Sequence, residues 1–263
     1  YFVDSGYYKY YEAYHLLKFS NEKQILEKAY HEYLDLKRCN LWGSKKYLVA
    51  SLDQSLKRMG LDYVDIYFLH RDDPKIPVEE IMPVLNDFYE SGKIHFIGVS
   101  NWTTQRIEEA NKFAEKNGME PIRISQINYS LAHSSVETFG DNTLVCMDTK
   151  EFRWYKKHDF PVMAFSPQAK GFFAKLAKGD AANNLPEGQY AGPANLARLA
   201  KVKQLSEQTG DTPAKITLGY LNSQPFFVSS VFAVTKLWQL DEDMEAQDLT
   251  YDPKTVAFLE NMI

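Results

Sequence analysis

Eight residues of this 263-residue chain have types that could do chemistry together: Asp4, Lys37, His70, Ser100, Asn101, Gln126, Phe165 and Ser166. Each closes, or directly follows, a short apolar run. The set holds one acid, one ammonium, one imidazole, neutral amides and hydroxyls, and one aromatic ring. Neutral amides beside an aromatic suit an uncharged planar ring that must be both hydrogen-bonded and stacked upon. Other chemistries fit poorly. No second carboxylate closes a run, and glycoside hydrolysis needs a pair roughly 5–9.5 Å apart. The six histidines are scattered, without the spacing of a metal site. No Ser sits in a G-x-S-x-G turn, and neither a P-loop nor a G-x-G-x-x-G turn is present.

The runs that carry these residues alternate with amphipathic segments. Strands are expected at Asp62–Leu69, Ile94–Val99, Ile122–Asn128, Pro161–Phe165 and Phe226–Phe232, and upstream at Tyr1–Asp4 and Tyr33–Lys37. Helices are expected at Lys45–Met59, Val78–Glu90, Thr103–Asn117, Lys150–Lys157, Asn195–Thr209, Pro213–Leu221, Leu237–Ala246 and Pro253–Met262. Thr212-Pro213 has the form of an N-cap followed by Pro at the first helical position. Gly171–Pro193 is long and polar and reads as a loop, over a bound group or on the surface. Strict alternation with apolar strands implies a parallel sheet covered by helices, and the length suits a (β/α)8 barrel. In such a barrel the chemistry lies at the carboxyl ends of the strands.

Composition sets the bounds. The chain is 44% hydrophobic and carries a net charge of −5, which offers no basic field for nucleic acid or anionic membrane. No run of 18 apolar residues could span a bilayer. Two cysteines, Cys39 and Cys146, cannot build a disulfide scaffold, so a reducing, cytoplasmic setting is expected.

Ser51–His70 (SLDQSLKRMGLDYVDIYFLH), followed by Gly92–Trp102 (GKIHFIGVSNW), resembles the aldo-keto reductases. FSPQAKGFF (Phe165–Phe173), TPAKITLGYL (Thr212–Leu221) and AVTKLWQLDEDMEA (Ala233–Ala246) fall in the family's order. The likeness runs over about residues 43–263, with 1–42 a divergent N-terminal part of one barrel domain. It implies a (β/α)8 barrel that reduces an aldehyde, ketone or sugar carbonyl with NADP(H), or with NAD(H). It also implies catalytic roles for Asp4, Lys37 and His70. The family's Tyr would fall on Lys9, so Tyr8 and Tyr10, which flank it, are both candidates for the general acid. Ser100, Asn101 and Gln126 would hold the nicotinamide carboxamide, Phe165 would stack on its ring, and Ser166 would lie on the pyrophosphate side. Lys236 stands where a basic residue meets the 2′-phosphate, and Asp243 where an Asn commonly meets adenine.

The tetrad also makes chemical sense. A phenol with a pKa of about 10 is a poor acid at neutral pH, and a neighbouring Lys ammonium lowers that value. Neutral imidazole at His70 can donate to a carbonyl and polarise it. The displaced Tyr, the drifted phosphate segment and a count of seven strands leave a second function open: a barrel that keeps the cofactor groove, turns over little, and serves as a regulatory binding module. The count also predicts an upstream strand–helix unit of roughly 30–40 residues. Substrate identity and oligomeric state are not written in these motifs.

Overall fold

The computed structural model describes residues 45–179 and 190–260. Asp4, Tyr8, Tyr10, Lys37 and the two upstream strands therefore lie outside the described residues. Those residues form two compact units, one from 45–100 and 105–123, the other from 101–104, 124–179 and 190–260. All five strands expected among the described residues are present, and every pairing inside the two units is parallel.

The first unit runs α1 (Lys45–Met59), β1 (Val64–Leu69), α2 (Val78–Glu90), β2 (Ile94–Ser100) and most of α3 (Thr104–Lys116). α2 opens after Pro77 with Glu79 and Glu80 in its first turn, where carboxylates meet the positive helix end. It buries Val78, Ile81, Met82, Leu85 and Phe88, the face its periodicity predicts. β1 and β2 pair in register from Val64↔Ile94 to Leu69↔Val99. That offset carries on to His70 and Ser100, the next residues along. The buried Arg106 is held by Asp72 at 3.4 Å and by the Ile76 carbonyl.

The second unit takes β3 (Ile122–Asn128) from Ile124 onward. It continues with α4 (Val136–Phe139), α5 (Thr149–His158), β4 (Val162–Phe165), α6 (Phe172–Ala177), α7 (Pro193–Thr209), α8 (Pro213–Asn222), β5 (Val228–Val231), α9 (Leu237–Met244) and α10 (Pro253–Glu260). Thr212 caps α8, its hydroxyl accepting from the Lys215 N–H, with Pro213 at the first turn as expected. Asp148 caps α5 through the Glu151 N–H at 2.8 Å. Pairings Ser125↔Val162↔Val228 and Ile127↔Ala164↔Ser230 put one set of side chains on one sheet face. There Ile127, Val162 and Ala164 pack into the core with Tyr155, Phe172, Ile216 and Phe226. The other face carries Gln126, Met163 and Ser229, then Asn128, Phe165 and Val231.

The structure corrects one expectation. The polar stretch from Gly171 is not all loop, because Phe172–Ala177 is helical and buries Phe172, Phe173 and Leu176. Three apolar residues at helical spacing outweigh the surrounding Gly and Lys. No helix among the described residues is long and apolar enough to cross a membrane. Among them, no group of three or more His, Cys, Asp or Glu could hold a metal ion.

Candidate active site

Among the described candidates, His70, Ser100, Asn101, Gln126, Phe165 and Ser166 lie at or near strand carboxyl ends, each within its own unit. In the first unit, half-buried His70 follows β1, and Ser100, 1% exposed, ends β2 one register step beyond Leu69↔Val99.

In the second unit the Asn101 N–H donates to the Gln126 carbonyl at 2.9 Å. Asn101 adopts φ 58°, a left-handed conformation that Asn tolerates better than most residues. Its Oδ1 accepts from the Val145 N–H at 3.2 Å, which fixes which end of the amide is oxygen. Asn128 binds the same segment, donating to the Val145 carbonyl and accepting from the Met147 N–H. Its side chain donates to the Phe165 carbonyl at 3.2 Å and accepts from the Ser134 hydroxyl. Asn101, Gln126 and Asn128 are each under 5% exposed. Two buried amides and one aromatic ring thus share the carboxyl end of β3 and β4, with Gln126 and Phe165 on one face.

After β4 the chain is unusually bent. Ser166, Ala169, Lys170 and Gly171 all have positive φ, from 48° to 82°. For the three non-glycine residues this costs about 1–2 kcal/mol each. Two short turns hold the loop, from the Ala169 N–H to the Ser166 carbonyl and from the Gly171 N–H to the Gln168 carbonyl. The loop forms one wall of a groove of about 710 Å³. The other walls are α6, the N-terminal turn of α8, the chain after Val231, and α9. Lys170, Lys175 and Lys178 line it on one side, Glu242 and Asp243 on another.

Asp243 is 4% exposed and accepts from Gln168 Nε2 at 2.7 Å, joining the loop to α9. Burial raises its carboxyl above the ordinary range, while the Gln168 hydrogen bond opposes the rise. The turn into α9 is tied by Gln239, whose Oε1 accepts from the Thr235 N–H and hydroxyl and from the Lys236 N–H, all at 3.0–3.1 Å. Lys236 is exposed and does not line the groove. Lys178 does, with its ammonium 5.1 Å from the centre of the Trp238 ring. Neither Lys178 nor Trp238 stood out in the sequence. They lie 60 positions apart, and only folding pairs them.

The Aldo/keto reductase family model matches residues 34–263. The L-glyceraldehyde 3-phosphate reductase of Escherichia coli strain K12 is 30% identical over 237 residues, covering 84% of this chain and 64% of that protein. The protein of the same name from Escherichia coli O157:H7 has the same identity and coverage. The chain thus spans less than two thirds, 64%, of the length of these relatives. The crystal structure of a thermostable aldo-keto reductase in complex with the inhibitor epalrestat superposes with a TM-score of 0.62 and 22% identity, over 83% of this chain and 66% of that one. This likeness shows the fold, the parallel α/β arrangement of the (β/α)8 barrel.

Proposed function

Because this chain belongs to the Aldo/keto reductase family, we propose that it reduces an aldehyde, ketone or sugar carbonyl to the alcohol with hydride from NADP(H), or from NAD(H). The observation that carries the reading is the groove at the carboxyl ends of β4 and β5, with its left-handed loop and three lysines. The donor set suits a dinucleotide. Amides at Asn101 and Gln126 can bind a carboxamide, the Phe165 ring can take a flat heterocycle, and Lys170 and Lys175 can meet a pyrophosphate. The groove's volume lies within the range of small-molecule sites.

A bound nicotinamide cofactor supplies the hydride. The chain's own groups handle the carbonyl oxygen. His70 donates a hydrogen bond to that oxygen and draws charge onto it. The phenol of Tyr8 or Tyr10 delivers the proton, the Lys37 ammonium makes the phenol more acidic, and Asp4 holds the ammonium. The buried amides fix the nicotinamide, and apolar strand walls keep water from the transfer.

The test is cofactor oxidation, followed by absorbance, with a panel of small aldehydes. Glyceraldehyde 3-phosphate comes first, since the similar proteins from Escherichia coli are named for it. Turnover that falls in Tyr8→Phe or Tyr10→Phe, and in His70→Ala, supports the reading. Tight cofactor binding without turnover across the panel would instead favour a binding module on the same barrel.

A further inference from the structure

We infer that Glu151 is a positioning residue: by holding Thr104 from α5, its carboxylate fixes the turn that presents the Asn101 amide to the nicotinamide. This rests on the cofactor reading above and adds a residue that acts on the cofactor only through Asn101.

Glu151 is costly where it stands, and nothing local repays the cost. Among the described residues it and Asp243 are the two acids as little as 4% exposed. A buried carboxylate is expensive unless it is well bonded. Glu151 is the third residue of α5, where a glutamate commonly turns back to the N–H of its own N-cap. Here its N–H donates to the Asp148 side chain, but its carboxylate reaches 47 positions away and accepts from the Thr104 N–H at 2.9 Å. Thr104 is itself buried, and its hydroxyl also serves this carboxylate. Burial lifts the Glu151 carboxyl above its ordinary range, and the two bonds from Thr104 oppose the rise. The N–H of a first helical residue has no partner inside its own helix. Glu151 supplies from α5 what α3 lacks.

The residue that this bond governs lies three positions upstream. Asn101 holds φ 58°, and a non-glycine residue stays in that region only where its surroundings over-determine it. Three ties surround it. Its N–H donates to the Gln126 carbonyl, its Oδ1 accepts from the Val145 N–H, and Glu151 pins Thr104 at the far end of the turn. Fully buried Trp102 lies between those ends. Val145 and Glu151 belong to one stretch, anchored on β3 through Asn128 and closed by the Asp148 cap. One stretch therefore grips the turn at both ends. Releasing the Thr104 end removes a restraint from a strained residue, and a binding amide must be held to about 0.5 Å to keep its hydrogen bond.

The experiment is calorimetric titration of the full chain with NADPH and with adenosine 2′,5′-bisphosphate, which has the adenosine half of that cofactor and no nicotinamide. Glu151→Ala should weaken NADPH by about tenfold, the effect of one buried bond left unmade, and leave the bisphosphate within about twofold. Glu151→Gln keeps an oxygen that accepts from the Thr104 N–H and should keep NADPH within about threefold of wild type. Glu151→Asp keeps the charge but withdraws it by one methylene, and should lose NADPH affinity by about threefold or more. It carries the same test if the alanine variant does not fold. In an Asn101→Gly background, Glu151→Ala should cost less than about twofold further, because the group it positions is gone.

Wild-type NADPH affinity in Glu151→Ala or Glu151→Asp would overturn the assignment. So would equal losses of NADPH and the bisphosphate, which mark a general loosening of the fold. A glutamine variant as weak as the alanine one would refute the hydrogen bond as the route. A full further loss in the Asn101→Gly background would show that Glu151 does not act through Asn101. A wild-type chain that binds neither ligand would overturn the cofactor reading and this inference with it. One that binds both, with no effect at Glu151, would overturn this inference alone.

Discussion

Gly98 lies opposite Phe68 in the parallel register of β1 and β2, and a methyl group on Gly98 would fall 2.6 Å from the Phe68 ring. This pair sits two residues before Ser100 on one strand and two before His70 on the other. The glycine of the I-G-V-S run is thus there to admit an aromatic ring, and the close approach locks the register that aligns the two strand ends.

Gly98→Ala should therefore destabilise the fold by about 1–3 kcal/mol, the usual penalty for overpacking. At roughly 2–4 °C per kcal/mol for a chain of this size, the shift is readable in a thermal melt. Adding Phe68→Leu should recover part of the loss, because the two residues share one contact. A Gly98→Ala protein as stable as wild type would mean that the ring is not held there.

The strand and helix pattern was legible because apolar runs here end at Gly, Pro or Asp. Val78–Glu90 and Ile122–Asn128 have the expected bounds. Two elements were not legible for a physical reason. α4 has four residues and α6 has six, too short for a helical period to stand out. The left-handed loop was hidden because three of its four positive-φ residues, Ser166, Ala169 and Lys170, are not glycines, and tertiary packing imposes their conformation. The Gln168–Asp243 bond joins residues 75 apart, a pairing that no local pattern encodes.

Asp243 gives stability a pH dependence. Burial holds its folded pKa above the ordinary 3.8. As the pH rises, the unfolded chain loses this proton first, so ionisation favours unfolding and stability falls from about pH 3.8 upward. Asp243→Asn removes that loss, and its amide oxygen can still accept from Gln168. The variant should be the more stable near neutrality, with the gap closing as the pH drops below 3.8. Urea midpoints across this range measure it. A gap that is constant with pH, or an Asn variant that is weaker at neutrality, would contradict the assignment.

Asn101 combines a left-handed backbone with a buried amide. Asn101→Gly keeps the backbone and loses the amide. It should weaken NADPH binding about threefold to tenfold, the worth of one hydrogen bond, and leave adenosine 2′,5′-bisphosphate binding unchanged. Asn101→Val loses both features and should also cost about 1–3 kcal/mol of stability. Calorimetry and denaturant unfolding separate the two effects.

The Thr212 hydroxyl caps α8, whose first turn forms part of the groove. Thr212→Ala should cost about 1 kcal/mol, whereas Thr212→Ser, which keeps an accepting hydroxyl, should cost little. Equal losses in the two variants, measured by denaturant unfolding, would show that the cap is not what Thr212 contributes.

The central claim is that His70, at the end of β1, acts on a carbonyl reduced with hydride from a nicotinamide cofactor. The most direct measurement is the rate of NADPH oxidation with a saturating aldehyde, in wild type and in His70→Ala, with cofactor affinity determined for both. The account predicts a fall in kcat of about a hundredfold or more, as for loss of a donor to a developing oxyanion, with cofactor affinity within about twofold. An undiminished rate in His70→Ala, or a wild-type chain that binds NADPH and reduces no carbonyl, would contradict it.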